Sequence, residues 1–201
     1  MEHIGESEGI LKYVGERGIT RSREITQNGF HRITLTRLVN QGKLQRIGRG
    51  LYSSPEHGPT EWQDFAEICK TTPRAVIGLI SALAFHNIGT QVPYETWIVL
   101  PYSAWVPRSS RPVKVTRFAE PYFSAGVEEH QIDSVTVHIY CAAKTVADCF
   151  KMRNKIGTDV AVEALREGWR DRKFTTDDLI RYAKIDRVDR VMRPYIEALI
   201  T

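Results

Sequence analysis

Eight cationic side chains lie between Arg17 and Tyr52 (Arg17, Arg21, Arg23, Arg32, Arg37, Lys43, Arg46 and Arg49), against one acid, Glu24. This local excess of +7 is larger than the +4 of the whole 201-residue chain. Such a concentration suits a polyanion, because each cation that reaches a phosphate releases condensed counterions. The same segment carries groups able to tell one base from another. Arg offers a planar fork to guanine, Asn pairs with an adenine edge, and an Ile side chain or Thr methyl touches a thymine methyl. The candidate contact residues are Arg21, Arg32, Ile33, Thr34, Thr36, Arg37, Asn40, Lys43, Arg46 and Arg49.

Those residues need elements to hold them. Ile10, Leu11 and Val14 have helical spacing and predict a first helix that stops near Gly18. Thr20 can cap a short second helix, Arg21 to Gln27, whose Ile25 points inward, and Asn28-Gly29 supplies the turn. A third helix over Arg32 to Gln41 ends at Gly42, with Leu35, Leu38 and Val39 as its inner stripe and Phe30 as a staple onto Leu35. Its opposite face carries Ile33, Thr36, Arg37 and Asn40, flanked by Arg32 and Thr34. Two apolar runs around Gly48-Arg49-Gly50 then predict a hairpin whose tip can approach a phosphate or a minor groove. Apolar alternation in these runs is imperfect, which leaves the strand register open. The whole reads as a helix-turn-helix with a basic wing. A winged helix that docks protein, or an unrelated three-helix piece, are the alternatives.

The run from Leu35 to Tyr52 (LTRLVNQGKLQRIGRGLY) resembles the N-terminal domain of AbiEi-type antitoxins. The likeness continues in Thr96–Pro101, Val127–His130 and Ala143–Asp148, in the family's order. His31 departs from the pattern, standing where such proteins often have a good cap such as Ser or Thr. The resemblance implies a type IV antitoxin in two parts. Its N-terminal winged helix would repress its own operon. Its C-terminal domain would counteract a nucleotidyltransferase-type toxin without forming a stable complex with it. The DNA partner would be a double-stranded operator. One such module reads only a few base pairs, so an inverted repeat bound by a homodimer is expected.

Composition fits a soluble cytoplasmic protein. No apolar run approaches the roughly 20 residues of a membrane helix. The N-terminus, Met1-Glu2-His3-Ile4-Gly5-Glu6, lacks the pattern of a signal peptide. Cys69, Cys141 and Cys149 are odd in number with no zinc spacing, which predicts reduced thiols. The segment Ser53–Pro59, with two prolines and a glycine, separates a winged-helix domain (1–54) from a larger domain (60–201). That second domain is expected to be α+β, a small antiparallel or mixed sheet with helices. Thr60 with Gln63 suggests a capping box, and Trp62, Phe65, Ala66 and Cys69 mark one buried helical face. A further helix is expected from Pro73 to Asn87. Strands follow at Thr96–Leu100, Val113–Phe118, Val127–Ile132 and Val135–Tyr140, the last two joined at Asp133-Ser134. Helices near Ala142–Arg153, Asp159–Arg170, Thr176–Lys184 and Val188–Leu199 complete the chain, with Thr175 and Asp178 as a second capping box.

Catalytic candidates are thin. His138 and Cys141 form one loose pair, too few ligands for zinc. Glu128, Glu129 and Asp133 lack the acidic-x-Lys partner of a nuclease site. No phosphate loop or nucleophile elbow is present. The expectation is therefore no enzyme, no cofactor and no metal. A second basic group, Arg108, Arg111, Lys114 and Arg117 beside Trp105, can be a second nucleic-acid or partner surface. The favoured alternative is a solvated loop with Trp105 tucked into the core, since Trp is usually well buried. Two further functional classes stay open: a stand-alone regulator whose C-terminal domain senses a ligand, and a nucleic-acid-processing enzyme recruited by the winged helix.

Overall fold

The structure, a computed structural model, describes residues 5–56, 58, 60–106 and 111–200. The chain forms two compact units. One comprises Met1–Pro73, Pro107–Arg111 and His130–Val137, the other Arg74–Val106, Pro112–Glu129 and His138–Thr201. The fold is mixed α+β.

The first unit opens with α1 (Glu6–Arg17), β1 (Thr20–Arg21), α2 (Ser22–Gln27), α3 (Arg32–Asn40), β2 (Gln45–Gly48) and β3 (Leu51–Ser53). Its three short strands are ordered β1-β3-β2, antiparallel throughout. Ile10, Val14, Ile25, Leu35, Leu38 and Leu44 form the core, rimmed by Leu11, Tyr13, Phe30, Val39 and Tyr52. This is the period the sequence shows, one apolar stripe per helix turned to a common centre. Gly18 ends α1 at φ +62°, and a Cβ there would lie 2.5 Å from the Asp133 carbonyl oxygen. Thr20 is not a helix cap as expected. It lies in β1, and its hydroxyl donates to the Gly18 carbonyl (3.3 Å). Arg21 takes the capping position, where its backbone N–H donates to the Glu24 carboxylate (3.0 Å).

After the wing comes α4 (Gln63–Thr71). The expected Thr60–Gln63 capping box does not form. Thr60 instead donates to Asp133 Oδ2 (2.7 Å), and the Gln63 amide donates to Glu67 (2.9 Å). Phe65, Ala66 and Cys69 are buried as expected, with Trp62 half-buried against Phe65.

The second unit holds most of a five-stranded mixed sheet. It is built from β4 (Val76–Ile77), β5 (Thr96–Pro101), β6 (Val113–Phe118), β7 (Val127–Ile132) and β8 (Val135–Tyr140), in the order β6-β5-β4-β8-β7. Strand β4 pairs antiparallel with β5 and parallel with β8, and β5 pairs parallel with β6. The stretch expected as one helix from Pro73 to Asn87 is therefore divided. Val76–Ile77 forms the central strand, and only Leu79–Phe85 is helical (α5). A strand buried on both faces has no alternation, so apolar periodicity alone cannot tell it from a buried helix. Gly78 makes the break, and a Cβ there would meet Val99 Cγ2 at 2.9 Å.

Helices α6 (Ala142–Lys151), α7 (Arg153–Ile156), α8 (Thr158–Arg170), α9 (Thr176–Ile185) and α10 (Asp189–Ile200) follow. Val146, Ala147, Phe150, Ala161, Ala164, Leu165, Leu179 and Met192 form their common core. Thr175 and Asp178 make the reciprocal cap expected at α9.

Candidate nucleic-acid interface

In α3, helical geometry puts Arg32, Ile33, Thr36, Arg37 and Asn40 on one outward face, while Leu35 and Leu38 anchor the other. Ile33 is 80 % exposed, an unusual setting for an isoleucine and a useful one for an apolar base edge. Arg37 donates to the Ser7 hydroxyl (2.8 Å) from an exposed position.

Thr34 corrects the sequence reading. It is only 3 % exposed, and its hydroxyl donates to Glu6 Oε2 (3.0 Å), so it belongs to the packing of the helix and not to its outer face. The reason is angular: Thr34 adjoins Leu35 and Leu38 around the helix, on the side that meets α1.

His31 caps α3 through no side-chain bond of its own. The sequence gives no sign of what replaces it. Glu6, 25 positions earlier, accepts from the His31 backbone N–H (2.7 Å) and pairs with His31 Nδ1 (2.9 Å). These bonds, the backbone one foremost, together with that of Thr34, hold the Glu6 carboxyl below its ordinary pKa.

The wing places its cations at the rim. Gln45 pairs with Ser53, Arg46 with Tyr52 and Gly48 with Leu51, and a bulge at Ile47 accounts for the broken alternation. Arg49-Gly50 forms the tip, with Gly50 at φ +72° and its carbonyl accepting from the Ser22 N–H (2.8 Å). Lys43, Arg46 and Arg49 are exposed, Arg46 bonding locally to the Gly48 carbonyl (3.3 Å). Arg21 is half-buried beside the wing in β1.

The second basic group is arranged differently. Trp105 is 76 % exposed, so the favoured expectation of a core tryptophan is overturned. Among the described residues, Arg111, Lys114 and Arg117 each have a partner within the protein. Arg111 bonds both oxygens of the buried Glu67 carboxylate (3.0 Å each) and pairs with Asp64 (3.2 Å). Lys114 lies 4.4 Å above the Trp97 ring. Arg117 donates to the carbonyls of Pro101, Tyr102 and Ala104 (2.8, 3.2 and 2.9 Å). Arg108 lies outside the described residues.

His138 faces Glu129 at 3.6 Å. Among the described residues no three His, Cys, Asp or Glu side chains converge as a metal site, and no helix is long and apolar enough to cross a membrane. Burial raises the Cys141 thiol pKa and pushes that of Cys149 well above its ordinary value, which disfavours a thiolate at either.

Three helices, a three-stranded β1-β3-β2 sheet and a basic hairpin define a winged helix-turn-helix module. Residues 10–55 match the family model described as "Transcriptional regulator, AbiEi antitoxin", so the resemblance read in the sequence is shown for this segment. No curated protein matches the chain. The RV2827C protein of Mycobacterium tuberculosis, known from a crystal structure, shares the fold at a TM-score of 0.61 and 11 % identity, over 96 % of this chain and 78 % of that one.

Proposed function

We propose that the protein is a DNA-binding antitoxin of a type IV toxin–antitoxin system. Residues 1–54 serve as the operator-binding domain and residues 60–201 as the antitoxic domain. In this reading α3 enters a major groove, with Arg32, Ile33, Thr36, Arg37 and Asn40 at base edges. Arg21, Lys43, Arg46 and Arg49 grip the flanking backbone or minor groove. Two copies on an inverted repeat would repress the protein's own operon. The C-terminal domain would oppose a nucleotidyltransferase-type toxin without a lasting complex, in the cytoplasm and without catalysis of its own.

One observation carries the proposal: the segment that matches the antitoxin-regulator family is also the one that exposes Arg32, Ile33, Thr36, Arg37 and Asn40 on α3 and Lys43, Arg46 and Arg49 at the wing. The test is a titration of the protein with its own promoter fragment, using wild type and the Arg37→Ala/Arg49→Ala double variant. Wild type should bind with a steep salt dependence. Loss of the phosphate-reaching Arg49 should shallow the slope of log K against log salt by roughly 1, and loss of the base-reading Arg37 should lower the preference for the operator. In cells the double variant should derepress the operon and still neutralise the toxin. No shift of the promoter fragment at modest ionic strength would overturn the DNA-binding reading. Loss of neutralisation together with repression would overturn the division of labour.

A further inference from the structure

The first four N–H groups of a helix have no partner within it. In α3 the usual remedy, a Ser, Thr or Asp side chain at the cap, is missing, because His31 stands there without a capping bond. The anion at this helix end comes from the first residue of a different helix. Glu6 Oε1 takes the His31 backbone N–H and its ring nitrogen, while Oε2 takes the Thr34 hydroxyl. One residue further on, Ser7 accepts from Arg37, a full turn along α3 from Thr34. The first turn of α1 thus holds α3 at its start and at the side chain best suited to bond guanine.

We propose that Glu6 and Ser7 are positioning residues of the DNA-reading helix: Glu6 sets where the helix begins and Ser7 aims the Arg37 guanidinium. This rests on the DNA-binding reading above. A bidentate bond to a base requires both N–H groups of the fork to arrive in one plane. A flexible arginine on a bare surface samples many rotamers, and an acceptor at 2.8 Å selects among them. The carboxylate also occupies the positive end of α3, a place open to a DNA phosphate in many helices. Backbone phosphates are therefore left to the wing and to Arg21. Glu6 and Ser7 affect which sequence is preferred more than how strongly any duplex is held.

The test uses the full chain and compares binding to the operator with binding to a scrambled duplex of equal length, across a salt series. Glu6→Ala and Ser7→Ala should each lower the operator-over-scrambled affinity ratio, Glu6→Ala by about tenfold, near the cost of one misplaced base contact. Affinity for the scrambled duplex should fall in neither alanine variant, and in Ser7→Ala it and the salt slope should stay at the wild-type values, which a general loss of folding would not allow. Glu6→Gln, which keeps an acceptor for His31, should restore most of the ratio. Ser7→Ala removes one hydroxyl from a half-buried site, so it tests the idea even if Glu6→Ala lowers the melting temperature. Wild-type discrimination retained in both alanine variants would overturn the positioning role and leave DNA binding standing. Failure of the wild type to prefer the operator at all would overturn the DNA reading, and this inference with it.

Discussion

Replacing Lys144 by Met exposes the balance at the centre of the second unit. Lys144, Asp148 and Asp186 are at most 1 % exposed. The ammonium donates to Asp148 and lies 3.1 Å from Asp186 Oδ1, with the rings of Tyr140 and Phe118 at 4.7 and 5.1 Å. Two buried carboxylates face one buried cation. Burial, only partly offset by Lys144 and reinforced by Asp186, therefore holds the Asp148 carboxyl well above its usual pKa. Met fills the volume of Lys but leaves both acids uncompensated, a loss of about 3–5 kcal/mol for a broken buried pair. At about 2–4 °C per kcal/mol for a chain of this size, the melting temperature should fall by roughly 6–20 °C. Asp148→Asn, by contrast, removes the surplus negative charge, keeps the shape and should cost no more than about 1 kcal/mol. The pH dependence separates the two accounts. A carboxyl whose folded pKa is raised contributes stability below its unfolded value, near 3.9, and loses it as pH rises through the folded value. Thermal unfolding followed between pH 4 and 8 should show this decline in wild type and a flatter course in Asp148→Asn. A Lys144→Met protein within about 1 kcal/mol of wild type, or an Asp148→Asn protein as damaged as Lys144→Met, would refute the reasoning.

Arg111→Ala should destabilise the first unit by about 1–3 kcal/mol in chemical denaturation, since Glu67, 2 % exposed, loses its cation while the guanidinium itself is partly solvated. The same variant should leave operator affinity unchanged, and a clear loss there would reinstate Arg111 as a contact residue. Gly126→Ala should cost about 1–3 kcal/mol, because φ is +72° and the added Cβ would lie 2.7 Å from Lys144 Cβ; a neutral outcome by calorimetry would contradict the close approach. Thr175→Ala, which removes the α9 cap, should cost about 1 kcal/mol by the same measurement. Trp105→Ala should stay within about 0.5 kcal/mol of wild type, since the ring is 76 % exposed.

Local regularities carried much of the fold. The apolar periods of Ile10, Val14, Ile25, Leu35 and Leu38 were enough to set three helices against one core, because burial of a stripe needs nothing beyond its own helix and a facing one. Asp133-Ser134 marked the β7–β8 turn, and both residues adopt positive φ (+49° and +59°). The central strand β4 stayed hidden because both its faces are buried, and Thr34 because its partner, Glu6, is 28 positions away.

The two basic groups show the same boundary more sharply. Each carries several cations and almost no acid within its own stretch of sequence, so counting charge treats them alike. What separates them is which acceptors the fold brings near. Asp64 and Glu67 in α4 meet Arg111, and the carbonyls of Pro101, Tyr102 and Ala104 meet Arg117. On the outer face of α3, Arg37 meets the Ser7 hydroxyl and, among the described residues, no carboxylate. Arg32, Lys43 and Arg49 are exposed, and exposure decides what a phosphate can reach. A cation already held by two carboxylates gives little to a third anion, because the attraction it offers has largely been used. The operator should therefore sense the N-terminal group and be indifferent to Arg111 and Arg117, whatever the count of charges in each.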